Sequence, residues 1–218
     1  ADGGLAKHLR RGTIVVDMSS SDPTDTQELG KQLAPAGIVL VDAPVSGGVP
    51  KAAAGTLAIM IGGDAEAIAR VKPLLQTMGD RLFETGPLGS GHAMKALNNY
   101  AAAATYAATA EALLIGDRFG LDRKTVIDII NASTGRSFVS ELVMKEHVVT
   151  ERYATGFMLG LLAKDAKIAA DMGEAVGVDA PVSRLVRERW QLARERVGGE
   201  KDHSAAILGW SETTGGKG

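Results

Sequence analysis

Apolar and polar positions divide the chain into two stretches of different rhythm. Up to about residue 90, short apolar runs alternate with amphipathic segments. Thr13-Ile-Val-Val16 is a β-branched run of the buried-strand type. Asp22 is a good N-cap and Pro23 suits the first helical position, so the pattern predicts a helix over 23–34, stopped by Pro35 and Gly37. Ile38-Val-Leu-Val41 is the next strand, and the three elements make a parallel βαβ unit. A Gly-rich link over 46–55 leads to a strand over 56–61 and the turn Gly62-Gly63. Asp64 then caps a helix ending near Met78, and 81–84 is a last short strand.

After Gly86-Pro-Leu-Gly-Ser-Gly91 no strand pattern returns. The spacing predicts a long Ala-rich helix over 92–119, stopped by Gly120, and a second over 122–132 capped by Asp122. Further helices are expected near 137–148, 158–176, 181–197 and 203–211. The fold class is therefore α/β to about residue 90, followed by all-α, with 213–218 as a flexible tail. A βαβ sheet that binds a dinucleotide should open with a strand and G-x-G-x-x-G. No such pattern occurs, and Gly86-x-x-Gly89-x-Gly91 has the spacing reversed. The expectation is a chain that begins inside a domain.

Charge and composition narrow the function. Lys plus Arg total 24 and Asp plus Glu 26, a net charge of -2, which gives no reason to expect nucleic acid or an anionic membrane as partner. A 45% hydrophobic content with mixed charges is that of a folding globular protein. No apolar run approaches the roughly 20 residues needed to span a bilayer. The absence of cysteine excludes disulfides and thiolate chemistry and is compatible with a cytoplasmic setting. His8, His92, His147 and His203 are scattered without metal-ligand spacing, so no metal is expected.

Four segments carry candidate chemistry. In Gly91-His-Ala-Met-Lys95-Ala-Leu-Asn-Asn99, Lys95 and Asn99 are four apart and share a helix face. A lysine in the first turns of an apolar helix feels the positive helix end and partial desolvation, and both lower its pKa toward a proton-donor range. In Asp42-Ala-Pro-Val-Ser46-Gly47-Gly48 a strand ends and small residues let successive amides point at one anion. Asp17-Met-Ser-Ser20-Ser-Asp-Pro23 also lies at a strand's carboxyl end and opens a helix. Phe157 and Lys164-Asp165 fall on a mostly apolar helical stretch. Taken singly, each has a plainer reading: a solvated lysine, a loop, a helix cap, a surface lysine.

Together, in this order and spacing, the segments resemble the β-hydroxyacid dehydrogenase family, which includes 3-hydroxyisobutyrate dehydrogenase and tartronate semialdehyde reductase. Asp42 to Gly48 is similar to the family's substrate motif. Gly91, Lys95 and Asn99 match its catalytic G-x-x-x-K-x-x-x-N, and Lys164-Asp165 its cofactor-side motif. Asn131 to Ser137 and Asp202-His-Ser204 are also family-like. The resemblance implies the C-terminal part of a Rossmann-type sheet over 1–90, the remainder of a dinucleotide-binding domain. A helical substrate and dimerisation domain with a long central helix would then cover 91–212.

It further implies that Ser46, Gly47 and Gly48 bind the substrate carboxylate and that Lys95 exchanges a proton with the reacting oxygen. Asn99 would hold that oxygen, while Ser20, Phe157 and Lys164 would approach the cofactor, NAD or NADP. The expected reaction interconverts a small β-hydroxy acid and its semialdehyde or keto acid, in a homodimer or homotetramer. The Gly-rich fingerprint of the family is the point of departure, so this chain alone is expected to be inactive. Two other readings compete. A 6-phosphogluconate dehydrogenase-like enzyme would have a His where this chain has Asn98. A non-catalytic helical dimerisation fragment would have no use for Ser46, Lys95, Asn99 and Lys164.

Overall fold

The structure, a computed structural model, describes residues 4–211, so the predicted tail lies outside the described residues. The chain divides into two compact units, Ala1–Ala96 and Leu97–Gly218.

Among the described residues the first unit holds five strands, β1 (Ile14–Asp17), β2 (Val39–Asp42), β3 (Val45–Ser46), β4 (Ala58–Gly62) and β5 (Arg81–Gly86). Its helices are α1 (Pro23–Leu33), α2 (Gly48–Ala54) and α3 (Ala65–Leu75). β1 and β2 pair in parallel, from Ile14 opposite Val39 to Asp17 opposite Asp42. α1 makes the crossover, as the βαβ pattern requires. Asp22 caps it through a 2.8 Å bond from Thr24 N. β4 pairs in parallel with β5 and antiparallel with β2 and β3, so the sheet is mixed.

Leu40, Val41 and Asp42 of β2 are all buried, and they face two different cores. Val41 packs with Ile59, Ile61 and Leu75 in one cluster, whereas Leu40 packs with Leu33 and Ile38 in another. Successive side chains of a strand point to opposite faces, so each face of the sheet has its own core. Each fully buried Ile or Leu contributes about 1.5–3 kcal/mol.

The expected link over 46–55 is more ordered than its glycines suggest. Val45 and Ser46 pair with Ile59 and Ala58, and Ala52-Ala-Ala54 then sustains α2. Gly55 closes that helix at φ 65, a left-handed position that glycine adopts at no steric cost.

The long helix α4 (Ser90–Phe119) is shared: 90–96 belong to the first unit and the rest to the second. The second unit continues with α5 (Arg123–Asn131), a π-helix (Val139–Val148), α6 (Leu159–Ala175) and α7 (Pro181–Val197). A 3-10 turn at His203–Ala205 runs into α8 (Ala206–Ser211). Its core is centred on the few large aromatics. Trp190 and Trp210 meet edge to face at 5.6 Å, and Tyr106 lies 5.1 Å from Trp190. Each polar edge is satisfied. The Tyr106 hydroxyl donates to Ser204 O at 2.7 Å, Trp190 Nε1 to Ala103 O at 3.1 Å, and Trp210 Nε1 to Arg189 O at 2.9 Å. Burial pushes the Tyr106 phenol well above its ordinary range. Ala103, Ala107 and Ala110 line the buried side of α4, and small residues there let neighbouring helices approach closely. Among the described residues no helix is long and apolar enough to cross a membrane.

Candidate active site

Lys95 stands half-buried in the second turn of α4. The helix begins there because a strand residue caps it. The Asp42 carboxylate, fully buried at the end of β2, accepts from Gly89 N and His92 N at 2.8 Å each. An anion at a helix start satisfies orphan amides and complements the dipole. Gly91 is required for this fit. A Cβ there would lie 2.5 Å from Met60 O and 2.8 Å from Asp42 Oδ2. The glycine of the G-x-x-x-K pattern therefore has a packing reason within the first unit.

Ser46, Gly47 and Gly48 form a turn between β3 and α2. Gly47 has φ 138 and Gly48 φ 66, and a Cβ on Gly47 would run into Lys51 at 2.7 Å. Only glycines make this turn without strain. Ser20 lies just past β1, half-buried. Around it Asp17 Oδ1 accepts from Ser19 N at 2.9 Å, and the Ser19 and Ser21 hydroxyls bond each other at 2.9 Å. Because β1 and β2 end in register at Asp17 and Asp42, both segments emerge at one carboxyl edge of the sheet. Ligands of open α/β sheets bind at such edges.

In the second unit, two of the expected residues converge on one carboxylate. Buried Asn99 donates from Nδ2 to Asp165 Oδ2 at 2.6 Å, and Lys164 Nζ lies 3.2 Å from Asp165 Oδ1. Asn98 Nδ2 donates to Asn99 Oδ1 at 3.1 Å. A carboxylate only accepts, so it fixes which way the Asn99 amide faces. Asp165 is 1% exposed, whereas the Lys164 side chain is 37% exposed. The sequence reading gave Asp165 no role of its own. Its signal was an acid at helical spacing from Leu162 and Ala169, on a face that is otherwise apolar. Beside Lys164 lies a broad, open surface hollow, lined also by Arg194, Gly160 and Gly199.

Phe157 is placed by packing. Its ring meets His203 edge-on at 5.7 Å, and its carbonyl accepts from His203 N at 2.8 Å. Asp202 anchors the same segment by accepting from Ser204 Oγ and N, Thr155 Oγ1 and Gly156 N. Burial alone would raise the Asp202 carboxyl, but these hydrogen bonds outweigh it and hold it below the usual range. Burial pushes the His203 imidazole down, although Asp202 partly opposes this. The Asp202-His-Ser204 segment is thus a clasp for 155–157.

A nicotinamide dinucleotide presents amide, ribose and phosphate groups. Within the first unit, the hydroxyls and amides at the end of β1 are of a kind that fits an amide or a ribose. The sequence holds no strand followed by G-x-G-x-x-G for the pyrophosphate.

Comparisons with known proteins identify the family. Residues 89–209 match the family model described as NAD-binding of NADP-dependent 3-hydroxyisobutyrate dehydrogenase. Residues 1–86 match the NAD binding domain of 6-phosphogluconate dehydrogenase. A 2-(hydroxymethyl)glutarate dehydrogenase of Eubacterium barkeri is 36% identical over 98% of this chain and 71% of its own length. An NAD-dependent L-serine dehydrogenase of Pseudomonas aeruginosa is 34% identical over 98% of this chain and 74% of its own. Among solved structures, a Mycobacterium tuberculosis 3-hydroxyisobutyrate dehydrogenase with L-serine superposes with a TM-score of 0.83 at 30% identity. That match covers 93% of this chain and 72% of the other. A Rossmann-like portion joined to a helical portion, both matched to nicotinamide enzymes, defines a hydroxyacid oxidoreductase using NAD or NADP. The chain belongs to the β-hydroxyacid dehydrogenase family.

Proposed function

We propose that this chain carries the substrate-side machinery of an enzyme that interconverts a small β-hydroxy acid and its semialdehyde or keto acid, with Lys95 as proton donor and acceptor. The observation that carries the reading is the Asp42 joint. It ties the helix bearing Lys95 to the strand end that leads into Ser46, Gly47 and Gly48. The relatives support the substrate class. 2-(Hydroxymethyl)glutarate, L-serine and 3-hydroxyisobutyrate share a hydroxymethyl carbon next to the carbon bearing a carboxylate. They differ only in the third substituent, so recognition of the shared part is the common task.

The Ser46-Gly-Gly48 amides and the Ser46 hydroxyl hold the carboxylate. When bound, the nicotinamide supplies the acceptor or donor of the hydride. Lys95 takes the hydroxyl proton in oxidation and returns one in reduction, and its ammonium stabilises the alkoxide charge between. Asn99, oriented by Asp165, holds the same oxygen. Ser20, Phe157 and Lys164 serve the cofactor side. The dinucleotide-binding portion then runs to residue 90 and the helical portion from 91 to 212, in a homodimer or homotetramer.

Assayed with the intact enzyme, a panel of 3-hydroxyisobutyrate, L-serine, 2-(hydroxymethyl)glutarate, threonate, tartronate semialdehyde, glyoxylate and succinic semialdehyde, each with NAD and NADP, tests the class. At least one carboxylate should turn over while its methyl ester does not. Equal rates for acid and ester would remove the role of the Ser46-Gly-Gly48 turn.

A further inference from the structure

Three other helices are capped differently from α4. Asp22, Asp64 and Asp122 each cap their own helix from two or three residues away. α4 instead takes its cap from β2, where Asp42 accepts from Gly89 N and His92 N across almost half the first unit's chain. Both carboxylate oxygens are used, one for each amide. The surroundings are cut to admit them. A Cβ on Gly62 would lie 2.5 Å from Asp42 Oδ1, and one on Gly91 2.8 Å from Oδ2.

A second tie runs beside the first. The Thr26 hydroxyl lies 2.9 Å from Asp22 O, to which it donates, and 2.8 Å from His92 Nδ1. Having given its proton to Asp22 O, it accepts from His92, which places the ring proton on Nδ1. That nitrogen sits 3.9 Å from Asp42 Oδ2. His92 Nε2 is buried without a hydrogen-bond partner among the described residues. α1, β2 and the first turn of α4 therefore meet on one buried polar cluster of Thr26, His92 and Asp42. A cap that served stability alone could be local and reached by solvent, as the other three are. Burying a carboxylate is costly, and the two amide bonds return a joint with defined geometry.

We infer that Asp42 is a positioning residue for the reaction. Its carboxylate clamps the first turn of α4 to the end of β2, and so sets Lys95 relative to the Ser46-Gly-Gly48 turn on the same strand's continuation. Lys95 follows His92 by three residues, less than one helical turn, so little slack lies between clamp and ammonium. A misplacement of about 1 Å in such a group costs about a hundredfold in rate. The inference rests on Lys95 being the proton donor.

The test uses the intact enzyme with Asp42→Asn, which keeps the shape but turns one acceptor into a donor. Amide hydrogen exchange should quicken at Gly89 and His92 while Val41 and Ile61 stay protected. kcat should fall about tenfold or more, with cofactor Kd unchanged. Thr26→Val, a milder change, should shift the same two amides and lower kcat about threefold, and it carries the test should Asp42→Asn not fold. kcat within about twofold of wild type when Gly89 and His92 are deprotected would overturn the inference. So would faster exchange spread evenly over the first unit, which marks a purely structural cap. Lys95→Ala run alongside separates the two claims. Normal turnover there removes the premise, whereas lost turnover with an indifferent Asp42→Asn removes the clamp alone.

Discussion

Asp165 holds Asn99 and Lys164 by one oxygen each. Asp165→Asn would present an amide to Asn99 Nδ2 and give up the charge near Lys164. The expected outcome is a loss of about tenfold or more in kcat/KM, read by steady-state kinetics, with the helical unit still folded by circular dichroism. Unchanged kcat/KM would leave Asn99 without its proposed orienting role. At this scale the sequence offered candidates, because Lys95 and Asn99 are four apart and Ser46-Gly-Gly48 is a contiguous run, while Lys164 joined them only through the resemblance. It did not show Asp42 capping α4 or Asp165 gripping Asn99. Those bonds join residues far apart in the chain, and no local pattern encodes them.

Helix starts were the most legible elements. Asp22, Asp64 and Asp122 all cap where the sequence placed them, because capping is a local bond within two or three residues. Asp64 Oδ1 accepts from both Glu66 N and Ala67 N at 3.0 Å. Asp64→Ala should lower the stability of the first unit by about 1 kcal/mol, measured by urea unfolding. No change would mean that water replaces the cap at no cost. β3 and α2 were hidden because Gly47, Gly48 and Gly55 mask a strand whose pairing partner, β4, lies beyond them. The π-helix at Val139–Val148 read as an ordinary helix, since its apolar spacing barely differs over so short a run. Ser137 and Ser140 lock its start through mutual side-chain to backbone bonds, with Ser140 N on Ser137 Oγ at 3.0 Å and Ser137 N on Ser140 Oγ at 2.8 Å.

Across the whole molecule, the switch from strand–helix alternation to helices alone was plain in the sequence, and both family models respect it. The aromatic centre of the helical unit was not. Trp190, Trp210, Tyr106 and His203 come from different helices, and their meeting is a tertiary fact. That centre gives the unit a pH dependence. His203 is held below its ordinary value of 6.5 by burial, against the opposing pull of Asp202 and Phe157 O, with His147 adding to the depression. The unfolded state therefore binds more protons than the folded state once the pH drops below 6.5. Stability is full above that pH and declines as pH falls toward the depressed folded value. Asp202, whose pKa is lowered, adds its own loss further down, as pH falls below 3.8 toward its folded value. Thermal melting should fall with pH below 6.5 in the wild type and fall less in His203→Gln. Parallel curves for the two would place the titration elsewhere.

The central claim concerns one ammonium in the second turn of α4, and one variant addresses it. Lys95→Ala in the intact enzyme should lose about 10²–10⁴-fold in turnover, while cofactor titration gives an unchanged Kd. Turnover near that of the wild type would contradict the account.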